Sequence, residues 1–258
     1  MTTNLTNGQS LGSSYDAIRV KAFNDSIGHE TSCPLCKGKG MIARVDECGN
    51  FAVRYCECMQ RKLTLERLER NGLLCLYRDS SLDNYIAQDL WQKDILAGAR
   101  RYVVDSEDGK WFYVGGQVGS GKTHICTGIV RELVDKGMDA MYMTWRDDGT
   151  RLKAMITDSE AYDRKMARYK TCGLLYIDDF FKTEQGKLPT PADVNLAFEI
   201  INYRYVNRLQ TLFSSERPVR DILAIDEAVG SRIWERTKGF CFTIGKDRSK
   251  NYRLRGVQ

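Results

Sequence analysis

The sequence predicts an α/β protein: a largely parallel sheet with helices on both faces, preceded by a small metal-pinned unit and a linker helix. Three observations predict it. From about Leu82 onward, short apolar runs alternate with helix-length stretches, the pattern of parallel strands joined by crossover helices. A glycine-rich run, Gly116-Gln117-Val118-Gly119-Ser120-Gly121-Lys122-Thr123, follows the first of those apolar runs. Two close cysteine pairs, Cys33 with Cys36 and Cys56 with Cys58, lie ahead of both.

Composition bounds the reading. With 258 residues, 42% hydrophobic and 28% charged, the chain can bury one large core beside a small appendage, and disorder is not its main state. The polar opening Met1–Ser10 has no basic segment leading into an apolar one, and no run of about 18 apolar residues occurs, so a cytoplasmic protein with no membrane association is expected. A net charge of +5 permits nucleic-acid binding without demanding it. Nine cysteines in a reducing compartment point to metal or thiol chemistry rather than disulfides.

The elements follow in order. Residues 41–55 read as two strands around a turn at Asp46 to Asn50. Cys58 to Arg70 interleaves Leu63, Leu65 and Leu68 with alternating charges before Asn71-Gly72, a linker helix with a stop signal. This sets an N-terminal domain at 1–72 and a second at 73–258. In the second, Trp91–Val103 suits a helix, Trp111–Val114 a strand, His124–Lys136 a helix and Ala140–Thr144 a strand. Leu174–Ile177 suits a strand, Ala192–Arg208 a long helix, and Thr211–Ser214 and Phe240–Ile244 two more strands.

The glycine-rich run fits a P-loop, because it sits between a strand and a helix. Its glycines let backbone N–H groups turn inward around phosphates, and the helix N-terminus adds partial positive charge. Lys122 would reach the β and γ phosphates of ATP, the Thr123 hydroxyl would ligate Mg²⁺, and residues 116–124, from Gly116 to His124, would line the nucleotide. Leu174-Leu-Tyr-Ile-Asp178-Asp179 supplies the acidic partner. Asp178 would emerge at the sheet edge beside Thr123 and hold Mg²⁺ directly or through water, while Asp179 would polarise the attacking water. An aspartate at 179 is shorter than the glutamate many such ATPases use, so weak hydrolysis is expected.

The strand Thr211-Leu-Phe-Ser-Ser-Glu216 is expected between the other two, bringing Ser215 or Glu216 near the γ-phosphate. Arg232, in Gly230-Ser-Arg-Ile233, stands where ring-forming ATPases present an arginine finger to a neighbour; a surface salt bridge is the alternative. Together these features make the larger domain an AAA+ P-loop domain. Arg146, Arg151, Lys153, Arg164, Lys165, Arg168 and Lys170, with Tyr162, Tyr169 or Trp145 stacking bases, are candidates for contact with single-stranded DNA. A solvated helical face would explain the same charges.

The cysteine pairs can supply four soft ligands for tetrahedral zinc, brought together by the intervening hairpin. Cys48 at the turn is the bystander, and His29 is a weaker alternative ligand. Zinc would give a unit this small folding energy its core could not. Free thiols are the alternative.

In this order the residues resemble the DnaC/DnaI family of replicative helicase loaders, in the form encoded by bacteriophages and prophages. The marks are Cys33-Pro-Leu-Cys-Lys-Gly-Lys-Gly40 with Cys56-Glu-Cys58, Leu82-Asp-Asn-Tyr85 and Trp91-Gln-Lys93, the P-loop, Tyr176-Ile-Asp-Asp-Phe-Phe-Lys182, Phe198-Glu-Ile-Ile-Asn-Tyr203, Ser214-Ser-Glu216 and Gly230-Ser-Arg-Ile233. The resemblance implies an N-terminal module that grips a hexameric helicase of the DnaB/DnaC type. It also implies an AAA+ domain that binds ATP and single-stranded DNA and self-associates, up to a hexamer, on the helicase. Glu216 stands where some relatives have asparagine, and the tail after Ile244 is short for a separate lid. A transposition helper ATPase of the IstB kind and a P-loop small-molecule kinase are the alternative functions.

Overall fold

The computed structural model describes residues 9–26, 28, 33–70, 74–105, 109–184 and 187–254. The chain divides into two compact units, Met1–Leu63 and Thr64–Gln258.

In the first unit, helix α1 (Gln9–Asp25) packs on an antiparallel hairpin of β1 (Met41–Val45) and β2 (Phe51–Tyr55). The Asp46 carboxylate makes the turn by accepting from the N–H groups of Cys48 and Asn50 at 3.0 and 2.8 Å, an Asx arrangement. Asn24 fastens α1 to the hairpin: its side chain donates to the Ala43 carbonyl and accepts from the Ala43 N–H, both at 2.9 Å. Phe23 meets Phe51 edge-on at 6.1 Å, and the Arg19 guanidinium lies 4.4 Å over the Phe51 ring. Helix α1 has little amphipathic signature of its own, and these contacts are what the sequence pattern does not display.

Helix α2 (Glu57–Arg70) carries the linker pattern, and the division between the units falls within it, at Leu63/Thr64. The Asn71-Gly72 stop, and with it the expected boundary after residue 72, lies outside the described residues, as does His29.

The second unit runs α3 (Leu74–Asp79), α4 (Leu90–Asp105), β3 (Phe112–Gly116), α5 (Lys122–Asp135), β4 (Ala140–Thr144), α6 (Trp145–Ala154), α7 (Ser159–Thr171) and β5 (Leu174–Asp178). It continues with α8 (Pro191–Val206), β6 (Gln210–Ser215), α9 (Val219–Ile225), α10 (Glu227–Arg236) and β7 (Cys241–Ile244). The five strands are all parallel, in the order β4-β5-β6-β3-β7. Strand β6 therefore lies between β3 and β5, as the sequence predicted.

Each face of this sheet is covered, which is why its strands read as continuous apolar runs. Phe112, Val114 and Tyr176 pack with Ile125, Ile129 and Leu133 of α5 and Ile95 and Tyr102 of α4. Trp111, Tyr113, Ile177 and Phe213 point the other way, against Met166 of α7, Ile200 of α8 and Ile233 of α10. Helix α8 begins with a capping box, Thr190 with Asp193, and Pro191 in its first turn. Near its end the fully buried Arg204 donates to the carbonyls of Tyr169 and Cys172 at 3.0 and 2.9 Å and to Thr211 Oγ1 at 2.9 Å, tying α7, β5 and β6 at their shared end.

Helices α6 and α7, read from sequence as a basic region, are amphipathic, and this corrects one expectation. Trp145 and Tyr169 are 3% and 2% exposed and belong to the core, so neither is available to stack on a base. Among the described residues, no helix is long and apolar enough to cross a membrane.

Candidate functional site

The sheet order brings the carboxyl ends of β3, β6 and β5 side by side, the edge at which open α/β sheets hold ligands. A cleft of about 380 Å³ opens there, within the usual range for small-molecule sites. Gly119 to His124 form one wall, Ser80, Asn84, Tyr85 and Ile86 a second, and Asp179, Lys182 and Glu216 a third, with Tyr252 and Arg253 at the rim.

The P-loop wall is built from backbone. Gly119 and Gly121 sit at φ 71 and 86, where a side chain is strained, and a β-carbon at Gly119 would collide with the Asn251 side chain. No side chain caps α5 at Gly121, so its first-turn N–H groups are left for an anion. Lys122 donates to the carbonyls of Gly116 and Gln117 at 3.1 and 2.6 Å. Burial lowers the pKa of this lysine, against the opposing pull of Asp179, Glu216 and Asp178.

Thr123 donates to Asp178 Oδ1 at 3.3 Å. Asp178 is nearly buried and collects hydroxyl donors: Tyr176 at 2.7 Å and Ser214 on Oδ1, Tyr142 at 2.7 Å on Oδ2. Burial and the Asp178 charge raise the pKa of the Tyr142 phenol, which keeps it a donor. The donor set of Thr123, Asp178 and Asp179 is hard oxygen throughout, the chemistry a magnesium ion takes. With its oxygens already engaged, Asp178 suits an ion held through Thr123 and water better than direct ligation.

Asp179 turns toward Lys182, whose Nζ lies 2.7 Å from Asp179 Oδ2 and 3.0 Å from Glu216 Oε1. Of the two residues expected near the γ-phosphate, Glu216 lines the cleft and Ser215 does not. The Ser215 hydroxyl donates to the Phe180 carbonyl at 2.8 Å on the opposite face of β6. Side chains alternate along a strand, so Ser214 is the serine that reaches Asp178 and accepts from the Asp179 N–H at 3.1 Å. Gln117 lies at the cleft's outer side, its Oε1 accepting from Asp247 N–H at 2.9 Å. Arg232 is not in the cleft. It is bound within its own chain, to Asn202 Oδ1 at 3.1 Å and the Ala228 carbonyl at 2.7 Å, with Phe198 and Tyr205 rings 5.2 and 5.5 Å away.

Three contributions escaped the sequence reading. His124 Nε2 lies 3.0 Å from the Ser81 carbonyl and 2.9 Å from Asn84 Oδ1, fastening the second wall to α5. Tyr142 and Tyr176 pair in register across β4 and β5, a relation visible once the strands are aligned. The tail forms two 3-10 turns (Arg248–Lys250 and Tyr252–Leu254), and the Tyr252 N–H donates to the Gly119 carbonyl at 2.8 Å. No local signal announces that return.

The basic residues of α6 and α7 are largely paired. Lys153 meets Asp193 at 2.6 Å, Lys165 meets Asp148 at 3.2 Å, Lys170 meets Glu199 at 2.6 Å, and Arg164 meets Glu160 at 3.4 Å. Arg151 lies 4.0 Å from Asp148, and Tyr162 donates to Glu199 at 2.7 Å. Arg146 and Arg168 are exposed.

In the first unit, the sulfur atoms of Cys33, Cys36, Cys56 and Cys58 lie within 4.8 Å of one another. Cys33 to Cys56 is 3.8 Å and Cys36 to Cys58 is 3.5 Å, close to the ~3.8 Å edge of a tetrahedron with Zn–S bonds of about 2.3 Å. Backbone N–H groups of Cys36 and Leu35 hold the Cys33 thiol down to about 7, whereas burial pushes Cys56 and Cys58 up. Four thiols in this space fit a divalent cation such as zinc. Cys48 is exposed at the turn and takes no part in the cluster.

No protein-family model matches the chain. Over 245 residues it is 30% identical to the phage-like element PBSX protein XkdC of Bacillus subtilis (strain 168), covering 91% of this chain and 90% of that protein. Over 140 residues it is 29% identical to the replicative helicase loader DnaC of Escherichia coli (strain K12), covering 49% of this chain and 57% of DnaC. The chain belongs to the DnaC/DnaI-type helicase-loader family. A crystal structure of the DnaC helicase loader matches this member of the family with a TM-score of 0.55 at 21% identity, covering 66% of this chain and 98% of that one. The AMPPCP-bound DnaA of Aquifex aeolicus matches with 0.53 at 17% identity, over 68% and 54%. Both likenesses concern the fold, which is that of an AAA+ domain.

Proposed function

We propose that this chain is an ATP-regulated loader that delivers a replicative hexameric helicase of the DnaB/DnaC type onto single-stranded DNA at the start of replication. The observation that carries the reading is the convergence of Lys122, Thr123, Asp179 and Glu216 on one cleft, with Asp178 behind it in contact with Thr123, in a chain related to helicase loaders.

In this reading Lys122 and the backbone from Gly116 to Thr123 bind the β and γ phosphates, with His124 supporting the loop. Thr123 and Asp178 would hold a magnesium ion, which neutralises developing phosphate charge. Asp179 orients a water whose oxygen attacks the γ-phosphorus. The bridging bond to the β-phosphate breaks, ADP leaves with its electron pair, and the water proton passes to Asp179. Glu216 holds Lys182 at the γ-phosphate end of the cleft.

Arg232 serves a neighbouring copy's nucleotide in an assembly of up to six chains on the helicase, so hydrolysis by one chain alone is weak. The zinc-bearing N-terminal domain, residues 1–72, grips the helicase, and residues 73–258 form the ATPase. Arg146 and Arg168, exposed on α6 and α7, are the side chains of that region best placed for DNA phosphates.

The test is co-purification of the full chain with the replicative helicase, with and without ATP, wild type against Lys122→Ala, followed by helicase loading on single-stranded circles. The loader reading expects a complex and ATP-dependent loading that Lys122→Ala abolishes. Absence of any complex sinks it, and preference for duplex DNA in a gel shift would favour a transposition helper instead.

A further inference from the structure

Where β5 and β6 end, one ammonium lies between two carboxylates, and the fold fixes that arrangement. Lys182 closes a four-residue turn in which its N–H donates to the Asp179 carbonyl at 2.8 Å. Asp179 and Phe181 occupy φ values of 53 and 56, a region that side-chain-bearing residues enter only when their surroundings compel it. The compulsion comes from the two residues between Asp179 and Lys182. Phe180 and Phe181 are fully buried, stacked at 4.2 Å, and wedged against Trp145 at 4.9 and 5.4 Å. The Phe180 N–H adds a 2.8 Å bond to the Ser214 carbonyl. Core packing therefore holds both ends of the Lys182–Asp179 pair, unlike the pairing of two free surface side chains.

Lys182 lines the same cleft as Lys122 and Thr123. Its ammonium has three donors, and the structure spends two on Asp179 Oδ2 and Glu216 Oε1. The ammonium holds that Asp179 oxygen turned toward Lys182 and offsets part of its negative charge, so a water must compete with the ammonium for it. A triphosphate carries more negative charge than a carboxylate and makes strong charge-assisted hydrogen bonds. It competes for the same ammonium, which Glu216 keeps in reach.

We propose that Lys182 is a positioning residue that restrains Asp179, pairing with it until the γ-phosphate of a bound nucleotide draws the ammonium across the cleft and frees the carboxylate to orient water. The proposal rests on the ATPase reading above. It makes opposite demands on two kinetic constants. With nucleotide bound the ammonium still divides between the γ-phosphate and Asp179, so removing it frees Asp179 completely, which raises kcat, and leaves two unscreened carboxylates facing the phosphates, which raises KM. A side chain needed only to build the turn would lower kcat on removal.

The experiment is steady-state ATP hydrolysis by the full chain, with binding of a fluorescent ATP analogue measured alongside. The proteins are wild type, Lys182→Gln, Lys182→Arg, Asp179→Asn and Lys182→Gln combined with Asp179→Asn. The expected result is a kcat raised roughly twofold to fivefold in Lys182→Gln, the scale for releasing an ion pair one-third exposed, together with a raised KM. Lys182→Arg should stay within about twofold of wild type because it keeps the pair. Asp179→Asn should erase the gain in the double variant. Lys182→Met, which preserves the apolar stem, repeats the measurement if the glutamine variant melts early. A kcat unchanged or lowered in a folded Lys182 variant that still binds the analogue overturns this inference and leaves the ATPase reading standing. A wild-type chain that binds no ATP removes both.

Discussion

The Tyr142 hydroxyl donates to Asp178 Oδ2 at 2.7 Å, so the acidic residue facing the P-loop is oriented by the strand beside it. Tyr142→Phe should lower unfolding free energy by about 1.5–3 kcal/mol, the range for a hydrogen bond to a charged group. It should also slow hydrolysis more than it weakens nucleotide binding. Thermal melting and a kcat and KM comparison check this, and an unchanged melting point would show that the bond contributes nothing. Because burial raises the phenol's pKa, the bond should persist through mildly alkaline pH.

Metal removal should act on the first unit. Chelation, or Cys36→Ser, should unfold residues 33–58 while the P-loop domain keeps its melting transition, because four clustered thiols replace a core that a unit this small lacks. Zinc content and limited proteolysis measure it. Cys48→Ser, outside the cluster, should leave both unchanged.

Arg232 is satisfied in its own chain by Asn202 and Ala228, away from the cleft. Arg232→Ala should therefore leave ATP affinity of the isolated chain within about twofold, but cut hydrolysis in the helicase-bound assembly by roughly 10³-fold or more. Equal loss in the isolated chain would assign this arginine a role within its own fold.

Asp193 at the start of α8 supplies an acid-side prediction. Burial alone would raise its pKa, but the Lys153 ammonium and Thr190 outweigh burial and hold it below the ordinary 3.8. The unfolded chain therefore takes up this proton first as pH falls. The contribution to stability is complete above about pH 3.8 and is lost as pH drops through the lower folded value. Lys153→Met should lower the melting temperature near neutrality, where the pair contributes in full, and flatten its fall across that acid window.

Much of the site was legible because each part is local. The P-loop is one contiguous run, Asp178 and Asp179 end one apolar strand, and the cysteine pairs are set by short spacings. Strand and helix limits came within a few residues where burial on both faces left unbroken apolar runs. Other features were hidden because they depend on which face a residue takes or on a distant segment's return. Whether Ser214 or Ser215 meets Asp178 depends on the pleat of β6. Trp145 and Tyr169 read as base-stacking candidates until packing put them in the core. Helix α1 shows its role only against the hairpin it covers.

The sequence by itself determined the chemistry: a phosphate loop ahead of a helix, paired carboxylates at a strand end, and four thiols at ligand spacing. Only the tertiary structure decided how those groups face one another. Register across the parallel sheet set Tyr142 and Ser214 on Asp178, buried phenylalanines fixed Lys182 against Asp179, and the tail came back to Gly119. Contacts between residues far apart in the chain depend on the whole core closing, and no local window of sequence contains that information.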